Sequence, residues 1–191
     1  MKKSEPAGKK LAQSDIVHAA LEILRAEGID KLTMRRLAER LHVKGASLYW
    51  HIRDKQELLG MIAEEVCRAI SFPDERLPWE ERLLEFAKRC RSVYLRMPNS
   101  VHALVETPPS TPYRLELIRR VNELFEQAGF TREDGFSAGW MLNNYMTSFL
   151  LDEYRIASME QKPGYPMPDP EREFVFGIEV LIAGFKSKLN G

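Results

Sequence analysis

Apolar residues recur every three to four positions along almost the whole chain, and no stretch alternates as a half-buried strand would. The first periodic segment places Ile16, Val17, Ala20, Leu21 and Leu24 on one face, with Ser14 or Asp15 as its expected cap and Gly28 as its stop. Thr33 is placed to cap a short second helix carrying Met34, Leu37, Ala38 and Leu41. A break at His42-Val43-Lys44-Gly45 separates it from a third, very short helix over 46–52. Asp54, with Glu57 three residues on, caps a fourth in an acidic version of the capping box, and Leu58, Leu59, Ile62, Ala63, Val66 and Ile70 form its inner face.

Beyond the breakers Pro73 and Pro78, a fifth helix is predicted over 79–95, and a short apolar piece follows over 101–105. Thr111-Pro112 pairs a cap with proline at the first helical position, and this helix runs to Gly129. Thr131 opens a long helix, to about 159, on which Ala138, Met141, Leu142, Tyr145, Met146, Phe149 and Leu150 share a face. The proline-rich stretch 162–170 reads as a loop, and a last helix carries Phe174, Ile178, Leu181, Ile182, Phe185 and Leu189. The expectation is an all-α protein. A helix-turn-helix head of three helices (14–60, after a flexible basic arm over 1–13) is joined by a linking helix to an all-helical body (61–191).

Composition narrows the class. The chain has 191 residues, 44% of them hydrophobic and 29% charged, as an ordinary globular protein has. No apolar run is long enough to cross a membrane, and the basic N-terminus lacks the apolar core of a secretory signal, so a cytoplasmic protein is expected. Cys67 and Cys90 read as reduced thiols. The net charge is zero, 28 Lys and Arg against 28 Asp and Glu, but it divides unevenly. Residues 1–60 hold 12 basic and 8 acidic side chains, a balance of +4, and the rest hold 16 and 20, a balance of −4. A basic head on an acidic body favours a nucleic-acid partner for the head. Catalysis is not expected: His18, His42, His51 and His102 are dispersed, and there is no glycine-rich phosphate loop, nucleophile elbow or two-histidine metal motif.

The chemistry concentrates in 33–52, two helices around a tight break. Leu37 and Leu41 anchor the first, Val43 plugs the turn, and Leu48 and Ile52 are the inward residues of the second. That leaves Lys44, Ser47, Tyr49, Trp50 and His51 facing out, with no acid among them, as suits a groove lined by phosphates. Exposure is expected for Tyr49 and His51, with Trp50 shared between the two faces.

The run LTMRRLAERLHVKGASLYWHIRDKQELL closely resembles the DNA-binding head of the tetracycline-repressor (TetR) family, and LYWHIRDKQELL is especially close to the tetracycline repressors. The resemblance is specific over about 14–60 and continues more faintly through WEERLLEFAKRCRS and FVFGIEVLIAGFKSKL. It implies a homodimeric regulator that releases a palindromic double-stranded operator when a small molecule binds the body. It assigns base reading to Arg35, whose guanidinium can bond guanine twice in the major groove. It assigns DNA contacts to Ser47 and Tyr49, backbone contacts to Trp50 and His51, and phosphate contacts to Lys55 and Thr33 at helix N-termini. Gly45 and Ala46 stand where the tetracycline repressors carry a base-reading glutamine and a proline, so the operator centre is expected to be read differently, with Lys44 beside Arg35 carrying more of the recognition.

In the body, Trp140, Leu151, Phe176 and Val180 lie off the main stripes of the two long helices, which the resemblance implies pair across the dimer. Candidate ligand-lining residues are Phe86, Cys90, His102, Leu104, Trp140, Asn144, Met146 and Phe149, a set suited to a bulky hydrophobic effector. Ser71, Phe86 and Leu104 stand at positions where the tetracycline repressors bind drug with histidines and polar residues, and Asp152 or Glu153 falls near their metal-side glutamate. One histidine beside one acid belongs more often to a surface or core than to a metal. Neither metal nor cofactor is assigned, and tetracycline itself is disfavoured. The same features suit an activator, or a DNA-binding regulator that takes no ligand.

Overall fold

The structure, a computed structural model, describes residues 11–159 and 169–190. The described residues form nine α-helices and no strand. The basic arm falls largely, and the proline-rich loop almost wholly, outside them.

Helix α1 (Gln13–Glu27) buries Ile16, Val17, Ala19, Ala20, Ile23 and Leu24. Neither Ser14 nor Asp15 is its cap. Ala12 holds that position, and Asp15, three residues in, accepts from the Ala12 N–H at 3.0 Å. The carboxylate thus satisfies the cap backbone without standing in the cap itself. After a single 3-10 turn (Ile29–Lys31), Thr33 caps α2 (Met34–Arg40), its hydroxyl accepting from the Arg36 N–H at 3.1 Å.

The turn after α2 is a Schellman motif. The His42 N–H bonds the Glu39 carbonyl, the Val43 N–H bonds that of Ala38, and His42 sits at φ 54. Helix α3 (Gly45–Tyr49) is shorter than the periodicity predicts and begins one residue earlier. Its last turn continues loosely, with the N–H groups of His51 and Ile52 both donating to the Leu48 carbonyl. Leu48 and Ile52 are buried, and Val43 packs against the core from the turn.

Asp54 caps α4 (Lys55–Ala69) by accepting from the Glu57 N–H at 2.8 Å. Glu57 reaches back one residue further than a capping box requires, to the Arg53 N–H at 2.7 Å. Helix α4 is the shared element. It packs against α1 and also against α5 (Trp79–Arg96), α6 (Val101–Glu106) and α7 (Pro112–Ala128). Two links reinforce this. The Asn99 side chain donates to the Leu24 carbonyl of α1 at 2.9 Å. The Glu64 carboxylate accepts the Tyr113 N–H at the start of α7 at 3.1 Å, where the Thr111 hydroxyl, the expected cap, bonds nothing.

Gly129 ends α7 in the left-handed region, and Thr131 caps α8 (Arg132–Ala157), accepting from the Asp134 N–H at 3.1 Å. Helices α8 and α9 (Pro170–Asn190) cross closely, and α7 lies along α8. Phe125 packs edge-on against Phe130 and Phe185 with ring centroids 5.4 and 5.2 Å apart, tying α7 to α9. One continuous core runs from Ile16 to Phe185.

Candidate nucleic-acid interface and body cavity

Beside the inward pair Leu48 and Ile52, α3 and its following turn present the outward set. Lys44, Ser47, Tyr49, Trp50 and His51 are all exposed, together with Gly45 and Ala46. Trp50, expected to serve both faces, is 89% exposed and belongs to the outer one alone. Two adjacent aromatic residues left in water are costly to keep without a partner.

On α2 the three arginines divide. Arg36 grips Glu27 with a bond of 2.7 Å, and Arg40 grips Glu22 at 2.9 Å, so both fasten α2 to α1. Hydrogen bonds from these guanidinium groups hold the Glu27 and Glu22 carboxyls below the usual carboxylate range. Arg35 points outward, its side chain 90% exposed, and meets only its helix neighbour Glu39, at 3.0 Å. Thr33 is exposed, with its hydroxyl oxygen accepting as the cap. Lys55 lies half-buried in the first turn of α4, beside the Asp54 cap.

The second site is a cavity of about 930 Å³ between α4, α5, α6, α7 and α8. Six of the eight residues singled out from sequence line it: Phe86, Cys90, Leu104, Trp140, Asn144 and Met146. His102 and Phe149 do not. His102 turns along its own helix to Glu106, 3.8 Å away. Phe149 packs on Phe174 of α9 with centroids 5.3 Å apart, on the opposite side of α8 from the cavity-lining Trp140 and Asn144.

The cavity adds residues that sequence reasoning missed: Cys67, Tyr94, Thr107, Arg114, Asn143 and Thr147 among them. Burial pushes the Cys67 thiol up to about 12 and raises Cys90 and Tyr94 as well, so all three stay protonated. Arg114 donates to the carbonyls of Leu104 at 2.6 Å and Thr107 at 2.9 Å, and to the Thr107 hydroxyl at 2.9 Å.

Glu153, near the position compared with a metal-side glutamate, is committed to Arg91 at 2.6 Å, and Asp152 pairs with Arg155 at 2.8 Å. Ser71 accepts from Arg89 at 3.2 Å. No group of three or more His, Cys, Asp and Glu side chains gathers at one point among the described residues. No helix described is long and apolar enough to cross a membrane.

A helix-turn-helix with an acid-free outer face, carried on a helical body with a largely apolar cavity, is the architecture of a DNA-binding regulator. Residues 16–62 match the profile of bacterial regulatory proteins of the tetR family, and residues 72–167 that of the tetracyclin repressor-like C-terminal domain. The chain belongs to the TetR family of transcriptional regulators. It is 27% identical over 201 residues to the Escherichia coli tetracycline repressor protein class D, covering 95% of this chain and 92% of that one. It is 34% identical over 137 residues to an HTH-type transcriptional regulator of Saccharopolyspora erythraea, covering 71% of this chain and only 58% of that protein. Among solved structures, Streptomyces coelicolor ActR in complex with actinorhodin superposes with a TM-score of 0.82 at 27% identity, covering 93% of this chain and 96% of that one. A BioQ bound to its double-stranded DNA operator superposes at 0.77 and 30% identity, covering 93% and 99%.

Proposed function

We propose that this protein is a homodimeric, ligand-responsive repressor that holds a palindromic operator through two helix-turn-helix heads and lets it go when a small, largely hydrophobic molecule enters the body. The observation that carries the reading is the pairing of an exposed, acid-free recognition face with a cavity of about 930 Å³ in the same chain. Residues 14–60 form the DNA-binding head, and 61–191 the ligand-binding and dimerisation body. Any reach of the N-terminal lysines adds to the head's phosphate contacts.

In this reading Arg35 leaves Glu39 to bond a base edge, and Lys44 serves beside it. Ser47, Tyr49, Trp50 and His51 meet backbone and thymine methyls, and Thr33 and Lys55 meet phosphate. The relatives support two parts of it: BioQ is seen with its double-stranded DNA operator and ActR with actinorhodin.

The dimer is supported by the surface of the last two long helices. Trp140 and Phe136 on α8 and Phe176 and Val180 on α9 are more than half exposed, although all are large and apolar. Pairing α8 and α9 with their symmetry mates covers them. It also sets two recognition helices about 34–36 Å apart, one turn of DNA.

Ligand acts by differential affinity. A molecule that binds better to the arrangement with mis-spaced heads shifts the population away from DNA. A gel shift against the DNA upstream of the protein's own gene is the test. A salt-sensitive, sequence-selective complex is expected, and binding no stronger than to random DNA overturns the reading.

A further inference from the structure

Arg114 is the one charged side chain among the described residues that line the body cavity. The rest of the wall is apolar, aromatic, amide, hydroxyl or thiol. Its two thiols and Tyr94 are held protonated by burial, so none supplies a negative charge. No carboxylate lies within 4 Å of the guanidinium among the described residues. Its hydrogen bonds go to neutral oxygens: the carbonyls of Leu104, Thr107 and Pro108 and the hydroxyl of Thr107. Burial lowers its pKa, as expected for a cation taken partly out of water without a counter-ion.

Backbone carbonyls hold the group in place but do not neutralise it. A half-buried cation that lines a largely apolar cavity and bonds only neutral oxygens therefore has no anionic partner there. An anion delivered by a ligand would gain a charge-assisted bond in a low-dielectric setting, whereas an ammonium would meet repulsion and find no acid to answer it.

We propose that the cavity selects bulky aromatic anions, with the negative group set against Arg114 and the rings among Phe86, Trp140 and Met146. This deepens the reading of the cavity as the effector site and rests on it.

Two fluorescent probes of almost the same shape separate the two claims. 1-Anilinonaphthalene-8-sulfonate carries a permanent anion, and N-phenyl-1-naphthylamine is its neutral counterpart. Both are titrated into the full-length protein and into three variants. Asn144→Trp narrows the cavity and should abolish the binding of both, placing them there. Arg114→Met should weaken the sulfonate about tenfold or more while leaving the neutral probe within about twofold, since a hydrogen bond to a charged group is lost. An unchanged neutral probe also reports that the Arg114→Met cavity is intact.

If Arg114→Met does not fold, Asn143→Asp carries the test. It adds a negative charge to the wall from the surface of α8 and should weaken the sulfonate alone. Failure of both probes to bind the parent protein removes the effector-site reading and the proposal together. Binding of both probes with equal losses in Arg114→Met and Asn143→Asp leaves the cavity reading standing and overturns the anion preference. So does sulfonate binding that Asn144→Trp does not reduce.

Discussion

Tyr145 on α8 occupies the space that a side chain at Gly177 on α9 would need. A Cβ built on Gly177 would fall far inside van der Waals contact with the phenol, whose hydroxyl donates to the carbonyls of Glu173 and Phe174 at 3.1 Å. The hydroxyl end of the ring approaches the bare backbone at Gly177 and bonds the carbonyls one turn earlier, which fixes the crossing of the two helices. Alanine at 177 would gain about 1 kcal/mol of helix propensity. Overpacking costs about 1–3 kcal/mol, and a bonded aromatic ring has little room to yield. Gly177→Ala should therefore lower the melting temperature, and pairing it with Tyr145→Ala should be less damaging than the sum of the two single changes. An unchanged or raised melting temperature in Gly177→Ala contradicts the close approach.

Arg35, the residue proposed to read a base, is held by a single exposed acid, Glu39. Arg35→Ala should cost about 1–3 kcal/mol of operator affinity and relax the preference at one base pair, whereas Lys55→Ala should weaken all sequences alike. Glu39→Gln frees Arg35 from its 3.0 Å tether and removes a negative charge from the DNA-facing side, so binding should tighten on operator and random DNA. Quantitative gel shifts on operator, single-site mutants and random duplex measure all three. Identical losses on every sequence for Arg35→Ala would remove it from base reading.

His42 holds a left-handed backbone at φ 54 in the turn between α2 and α3. That region costs a side-chain-bearing residue about 1–2 kcal/mol, and glycine escapes it at the expense of a more flexible unfolded chain. His42→Gly should stabilise the protein by a few tenths to about 1 kcal/mol, and His42→Val should destabilise it by more than His42→Ala does. Calorimetric melting checks the order. Val above Ala would show that the turn does not hold this conformation in solution.

Trp140 is 65% exposed and Phe176 is 61% exposed in the single chain. Trp140→Glu together with Phe176→Glu should yield a folded monomer by sedimentation, and operator affinity should fall by two orders of magnitude or more as the second head is lost. A dimer that survives both changes places the interface elsewhere.

The Cys67 thiol, pushed up to about 12 by burial, is protonated at every pH at which the protein is handled. Neither it nor the fully buried Cys90 should react with a disulfide reagent at pH 8 until denaturant is added. Rapid labelling of the native protein would mean that the cavity wall opens on the timescale of the reaction.

Helix existence and inner faces were legible because each rests on spacing within one segment. The inner face of α4 is buried as its periodicity predicts, and Thr33, Asp54, Thr131 and Gly129 stop or start helices where they should. What escaped sequence reasoning depends on which neighbour a face meets. Phe149 shares a stripe with Met146, yet one turns to Phe174 and the other to the cavity, because α9 and α7 flank α8. The cap of α7 comes from Glu64, 49 residues before Tyr113, and no local signal at Thr111 announces it. Arg114 stands in the first turn of the proline-started α7, where local spacing gives no sign of the cavity. Only the return of α6 against its guanidinium brings it to the cavity. The head's outer face was more accessible to inference, since two inward residues on so short a helix leave all the others outside.

The fastening of α2 to α1 by Arg36 with Glu27 and Arg40 with Glu22 bears on how DNA binding should respond to salt. Those four charges cancel inside the head and displace no ions from the phosphate backbone. Arg25, Lys31, Lys44 and Lys55, with Arg35 once it leaves Glu39, are then the main exchangeable cations among the head's described residues. Each neutralised phosphate contributes about −0.9 to the slope of log affinity against log salt. Counted over the two heads of the proposed dimer, these cations set the slope at about −9 at most, and the arginines paired within each head add nothing to it.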